Sequence, residues 1–377
     1  MYSHVGLFQR KENLIMQNFD VNNILLKAAC PNNELIPDKS GSPSVMVYIP
    51  KFTMDQVISG GSKKVHPAFI VNGVEREGFY ISKYLNTDID GVAHSIPGAI
   101  PCNCVGMESS MEKCVVKGRG WHLTTIQEWG AIALWCKKNG HLPYGNNNHG
   151  RDRRENMFKA IPVTNVENGL GRVLTGTGPL SWSHDNTSAG IWDLNGNLSE
   201  WLGGFRAVFG EIQVLPDNDG ADLNNSHDAD SPAWRAIDAA TGDYIIPDGN
   251  GTTKGSVKLD FIDSPFYGWS SRWHITTEIK NRSTDTRRCD LSYIQCDEEI
   301  GPEAKELLVA FGLIPDDPMY DYKEQFAYHN NGSPECFIYR GGYWGSGSNA
   351  GVFKWSCGWG RGYTYEGNGF RSSYIPL

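Results

Sequence analysis

The chain has 377 residues, 40% of them hydrophobic and 20% charged, which supplies a real core and argues against global disorder. Its formal net charge is −9 with no basic tract, so the electrostatic footprint of a nucleic-acid binder is missing. No stretch approaches the ~20 apolar residues a membrane span needs, and Gln9, Arg10, Lys11 and Glu12 interrupt the N-terminus, so neither membrane insertion nor a signal peptide is expected.

Residues 1–43 read as an N-terminal arm, a helix followed by a turn-rich linker from Asn32 to Pro43. A domain covering 44–377 then opens with the apolar run Val45 to Ile49, closed by Pro50, which has strand length and β-propensity. Gly78 to Tyr84 alternates, with Phe79 and Ile81 on one face and Tyr80, Ser82 and Tyr84 on the other, and predicts a second strand. His122 to Lys138 is the clearest helix. Thr124 or Thr125 caps it, Glu128 completes a capping box with Thr125, and Trp129, Ile132, Ala133 and Cys136 form the apolar face until Asn139-Gly140 stops it.

Residues 140–190 are Gly/Asn-rich and predict long surface loops. The tract at about 206–335 reads as an insertion. Its Asp217-Asn218-Asp219-Gly220 has the look of a calcium-loop start, but the bidentate acid at the twelfth position is missing, so a solvated loop is expected. Glu303 to Phe311 predicts a short amphipathic helix ending at Gly312.

Nine cysteines form an odd set, which speaks against a complete disulfide framework. Cys102, Cys104 and Cys114 are close in sequence, but Cys-x-Cys lacks the usual zinc spacing, and thiols without metal are expected there. Cys289 and Cys296 have no histidine nearby, and Cys357 stands apart from any other cysteine in its segment.

The stretch 337–371 differs in composition. Ten of its 35 residues are aromatic and ten are glycine, against an aromatic share of 11% for the whole chain, and Glu366 is its lone acid. Tyr and Trp offer broad contact area at low entropy cost, while Ser, Gly and Asn adapt their hydrogen bonds, as in binding paratopes. Trp355, Trp359, Tyr363 and Tyr365 sit among glycines without a sustained period-two apolar face, so they are expected to point outward.

Four segments in order carry a resemblance. Tyr80 to Tyr84, Trp121-His122-Leu123-Thr124-Thr125 to Trp129, Gly190-Ile191-Trp192-Asp193-Leu194-Asn195-Gly196-Asn197-Leu198-Ser199-Glu200-Trp201, and Arg340-Gly341-Gly342-Tyr343-Trp344 to Gly369-Phe370-Arg371 resemble the motifs of the formylglycine-generating-enzyme family. The resemblance covers about 44–205 and 336–377 and implies an α+β, loop-rich variant of the C-type-lectin fold. The enzyme branch of that family, metal-dependent oxidases acting on thiols, holds copper on a cysteine pair shortly after the RGGSW-like segment, because soft sulfur binds Cu(I). Here Gly345 to Phe353 contains no cysteine. Iron-dependent sulfoxide synthases need a separate helical domain that residues 1–43 are too short to form.

The chain also resembles the variable proteins of diversity-generating retroelements, in which a reverse transcriptase rewrites adenines of a C-terminal gene segment. That resemblance implies a non-enzymatic, cofactor-free binder of a protein or glycan, on a cell surface, and a place in the cytoplasm or a phage virion. The implied contact residues are Tyr343, Gly345, Ser346, Ser348, Trp355, Ser356, Gly358, Trp359, Gly362, Tyr363, Tyr365 and Asn368. Trp344 and Phe353 are assigned to the core, and Arg340 and Arg371 to pinning loops. The family's calcium turn, carried over residue by residue, falls on Asp193, Gly196, Leu198 and Glu200, with Ser199 in place of its usual Trp.

Overall fold

The computed structural model describes residues 21–163, 165–166, 169–263, 271–322 and 325–377. It is a mixed α+β fold, rich in sheet and loop and poor in helix. The helices are α1 (residues 21–29), α2 (Met107–Val115), α3 (Ile126–Lys138) and α4 (Pro302–Ala310). No helix among the described residues is long and apolar enough to cross a membrane.

A five-stranded sheet joins distant parts of the chain in the order Asn33–Pro37, Pro43–Pro50, Gly78–Ser82, Ser372–Tyr374, Trp121–Leu123. The first strand falls where composition predicts a linker. Its Asn33, Glu34 and Leu35 pair with Val47, Met46 and Val45, so a long-range ladder overrides local turn propensity. Trp121–Leu123 corrects the expected helix start in the same way: His122 pairs with Ser373, and α3 begins only after Thr125. The capping box is as expected, with Thr125 Oγ1 accepting from Glu128 N at 3.2 Å and Glu128 Oε2 accepting from Thr125 N at 3.1 Å.

A six-stranded sheet runs Arg287–Asp290, Phe326–His329, Gly351–Trp359, Phe337–Gly341, Ser199–Trp201, Asn368–Phe370. A third, seven-stranded sheet is built wholly from Phe205–Cys296. The tract 206–335 does not pack apart from the rest. Two of its strands complete the six-stranded sheet, and its Leu259, Trp273 and Leu308 share one apolar core with Trp129 and Trp355. Helix α4 lies against α3 at Gly130, where any side chain would run into the Ala310 carbonyl.

Two buried arginines tie the sheets to each other and to the end of α4. Arg371 grips Glu200 through Nε and Nη2 at 2.7 and 2.8 Å and donates to the carbonyls of Ser82 at 2.8 Å and Trp192 at 2.9 Å. Arg340 donates to the carbonyls of Gly312 and Phe311 just past α4, where orphan helix carbonyls favour a cation. Both side chains have the pinning role their motif position implies.

Candidate functional site

The site is built on Gly351–Trp359, which lies inside the six-stranded sheet between Phe326–His329 and Phe337–Gly341. Successive residues of a strand point to opposite faces. Phe353, Trp355 and Cys357 enter the core beneath, and Trp355 Nε1 donates to the Leu313 carbonyl at 3.1 Å. Lys354 and Ser356 take the other face. The register sets Ser356 between Tyr328 and Tyr339. The Lys354 ammonium lies 4.6 Å from the Tyr339 ring centre and 5.7 Å from that of Tyr328. Burial pushes this ammonium down to about 7, with the nearby Arg340 charge acting in the same direction, while the two rings favour the charged form.

At the far end of the strand the chain leaves the sheet and returns as a loop. Tyr363 stacks flat on Trp359, ring centres 4.1 Å apart and planes 8° apart. Tyr365 meets Tyr343 edge-on at 5.5 Å, and Tyr343 meets Trp344 edge-on at 5.4 Å. Gly367 is required here: a Cβ would strike both the Tyr365 and Tyr343 rings. Arg361 anchors the loop on Glu335 at 2.9 and 3.0 Å and on Glu108 at 3.1 Å. Burial pushes the Tyr339 hydroxyl up to about 12. The result is a group of aromatic contacts in which the ammonium and serine on the strand are buried while Trp359 is open and Tyr343, Tyr363 and Tyr365 are half-buried.

The structure divides the twelve expected contact residues. Gly345, Trp359 and Gly362 are exposed, and Tyr343, Ser346, Ser348, Tyr363 and Tyr365 are half-buried. Trp355, Ser356, Gly358 and Asn368 are buried, which corrects the expectation that they lie open. Trp355 is sealed because strand parity turns it inward. Asn368 belongs to the strand paired with Ser199–Trp201. Gly358 is covered by Thr286 and Asn330. Trp344, expected in the core, is half-exposed, while Phe353 is buried as expected. Lys354, Tyr328 and Tyr339 belong to the face and escape sequence reasoning. The alternation Phe353-Lys354-Trp355-Ser356-Cys357 carried the signal for Lys354, but nothing local pairs Tyr328 with this strand.

The turn at which the resemblance implies a calcium site has these contacts. Both Glu200 oxygens are taken by Arg371, Leu198 is wholly buried and apolar, and Gly196 packs on the Asn146 backbone. Asp193 Oδ2 accepts from Gly176 N at 3.1 Å, leaving Oδ1 without a partner, and burial pushes its carboxyl up to about 6. A hard cation seeks six to eight oxygens; of the side-chain oxygens here, only Asp193 Oδ1 has no hydrogen-bond partner. Among the described residues Cys102, Cys104 and Cys114 do not converge on a metal, and Cys104 is exposed. Cys357 does not stand apart: its Sγ lies 3.3 Å from that of Cys336.

The fold and face define a sheet-rich α+β scaffold that presents an aromatic, glycine-bordered surface. No protein-family model matches the chain. No curated protein matches it. Among solved structures it is similar to a Major Tropism Determinant P3c variant, at 12% identity and a TM-score of 0.27, with 89% of this chain and 65% of that chain covered. The chain thus spans a little under two thirds of that structure's length.

Proposed function

We propose that this chain is a non-enzymatic binding protein of the C-type-lectin type, in its formylglycine-generating-enzyme variant, whose aromatic face is diversified by a retroelement. Its ligand is a protein or glycan on a cell surface, held without a cofactor. The observation that carries this reading is the division of Gly351–Trp359 into a sealed side, fixed in the core, and a side facing a patch of Tyr and Trp rings. Such rings act as anchors when a partner covers them, and a stiff support spares ordering entropy on binding. The Arg371–Glu200 fork and the Arg340 contacts supply that stiffness within the very segments that resemble the family. A thiol oxidase is the weaker reading, because Cys336 and Cys357 are wholly buried, away from any substrate.

The test is genetic. A near-copy template repeat and a reverse-transcriptase gene are expected beside this gene, with adenine-directed substitutions concentrated in the codons of Tyr343, Ser346, Trp359, Tyr363 and Tyr365. Substitutions spread equally over Phe353, Trp355 and Cys357, or a locus lacking the repeat, would refute it.

A further inference from the structure

Beneath the aromatic face, three strands bring His329, Cys336 and Cys357 together, and all three are buried. His329 and Cys357 are register partners on adjacent strands, and Cys336 directly precedes Phe337–Gly341. The two sulfurs are 3.3 Å apart and Cys336 Sγ is 3.9 Å from His329 Nδ1, with one ligand atom from each residue inside a 4.8 Å span. For metal–ligand bonds of about 2.0–2.3 Å, neighbouring ligands of a tetrahedral centre lie about 3.3–3.8 Å apart. Among the described residues this is the one group of His, Cys, Asp and Glu side chains that converges so closely.

A second observation concerns the imidazole itself. His329 Nε2 is fully buried and has no hydrogen-bond partner, while Nδ1 faces the Cys357 carbonyl. Nδ1 is also the nitrogen that faces the thiols, 3.9 Å from Cys336 Sγ, so it is the one positioned to ligate an ion there, and no hydrogen bond at Nε2 holds the ring against such a shift. The thiols also lie near backbone carbonyls: Cys336 Sγ is 3.4 Å from Cys357 O and 3.8 Å from Ala207 O, and Cys357 Sγ is 3.5 Å from Cys336 O.

We infer that His329, Cys336 and Cys357 form a structural site for a thiophilic d10 metal ion, Zn2+ or Cu+. Two thiolates and an imidazole select soft or borderline cations over Mg2+ and Ca2+. Two thiolates also neutralise Zn2+ completely, which suits an apolar interior, whereas a three-ligand set suits the lower coordination number of Cu+. The site lies outside the Gly345–Phe353 segment in which the oxidase branch would carry its cysteines, and it has no opening for a substrate. Its role is to clamp three strands of the six-stranded sheet from below. Because it is sealed, the ion enters as the chain folds.

Metal analysis of the full chain, produced in media supplemented with zinc or with copper, tests this. About one equivalent of one of these metals per chain is expected, and the element found distinguishes the two ions. C336S and C357S should lose it, while C289S, which alters a buried cysteine outside the cluster, should keep it. Should the cluster variants fail to fold, the unaltered chain refolded with Co2+ should show a thiolate-to-cobalt charge-transfer band. A metal-free chain that also refolds without taking up zinc, copper or cobalt would overturn the site. So would a peptide map showing Cys336 and Cys357 joined as a disulfide.

Discussion

Trp355 and Trp359 lie four residues apart on one strand, yet they belong to opposite regions of the molecule. Trp355 is 1% exposed and its indole N–H is spent on Leu313 beneath the sheet, whereas Trp359 is 44% exposed and stacks on Tyr363 in the loop above. Strand parity alone would put both on the same side. Trp359 escapes because the ladder carries a register shift: Tyr339 pairs with Ser356 but Phe337 with Trp359, so this strand holds one extra residue there and its alternation flips. Two residues of one type in one glycine-rich tract are thus told apart by sheet geometry, and composition is blind to that.

The contrast can be pressed hardest at its buried end. Trp355→Ala should lower unfolding stability by about 3–5 kcal/mol in a denaturant titration, the cost of an aromatic cavity in a packed core. Arg371→Met should cost about 3–5 kcal/mol by the same measurement, because Glu200 would remain buried without its partner. Gly130→Ala should cost about 1–3 kcal/mol by overpacking the α3–α4 contact, and a crystal structure should show α4 displaced.

Lys354, between the two regions, sharpens the comparison through pH. Its folded-state value lies below that of a lysine in the unfolded chain, so the unfolded chain binds more protons from about pH 7 to pH 10 and stability rises with pH across that window. Lys354→Met should flatten the rise, by up to about 4 kcal/mol between the ends of the window at about 1.4 kcal/mol per pH unit, in a thermal denaturation series. The smallest effect belongs to the open rim: Trp359→Ala should change stability by no more than about 0.5 kcal/mol. A large loss there would mean that the Trp359–Tyr363 stack supports the scaffold instead of facing a ligand.

Local signals were readable in the sequence where the structure is local. The α3 capping box, its stop at Asn139, the span of α4 and the strands at Pro43–Pro50 and Gly78–Ser82 all follow from neighbours in the chain. Asn33–Pro37 and Trp121–Leu123 did not, because each owes its strand form to a partner elsewhere. The site shows the same limit. The aromatic tract stood out by composition, and Trp359, Tyr363 and Tyr365 keep some of their surface open. The assignment of Trp355 failed because Phe353, Trp355 and Cys357 do form an inward period-two row, obscured by glycines on either side. Tyr328 and the Cys336–Cys357 meeting depend on which strands are neighbours, and no spacing encodes that.

The position of Ser372–Tyr374, flanked on both sides by strands from the first third of the chain, has a temporal consequence. During synthesis, Gly78–Ser82 and Trp121–Leu123 must wait for a segment made some 250 residues later before either gains its shared neighbour. Closure over so long a loop makes folding slow and keeps that sheet incomplete until the residues after Arg371 have left the ribosome. A product cut short at the aromatic tract therefore never joins Trp121–Leu123 to the rest of the five-stranded sheet, and it also lacks Arg371, whose fork to Glu200 ties that sheet to the six-stranded one.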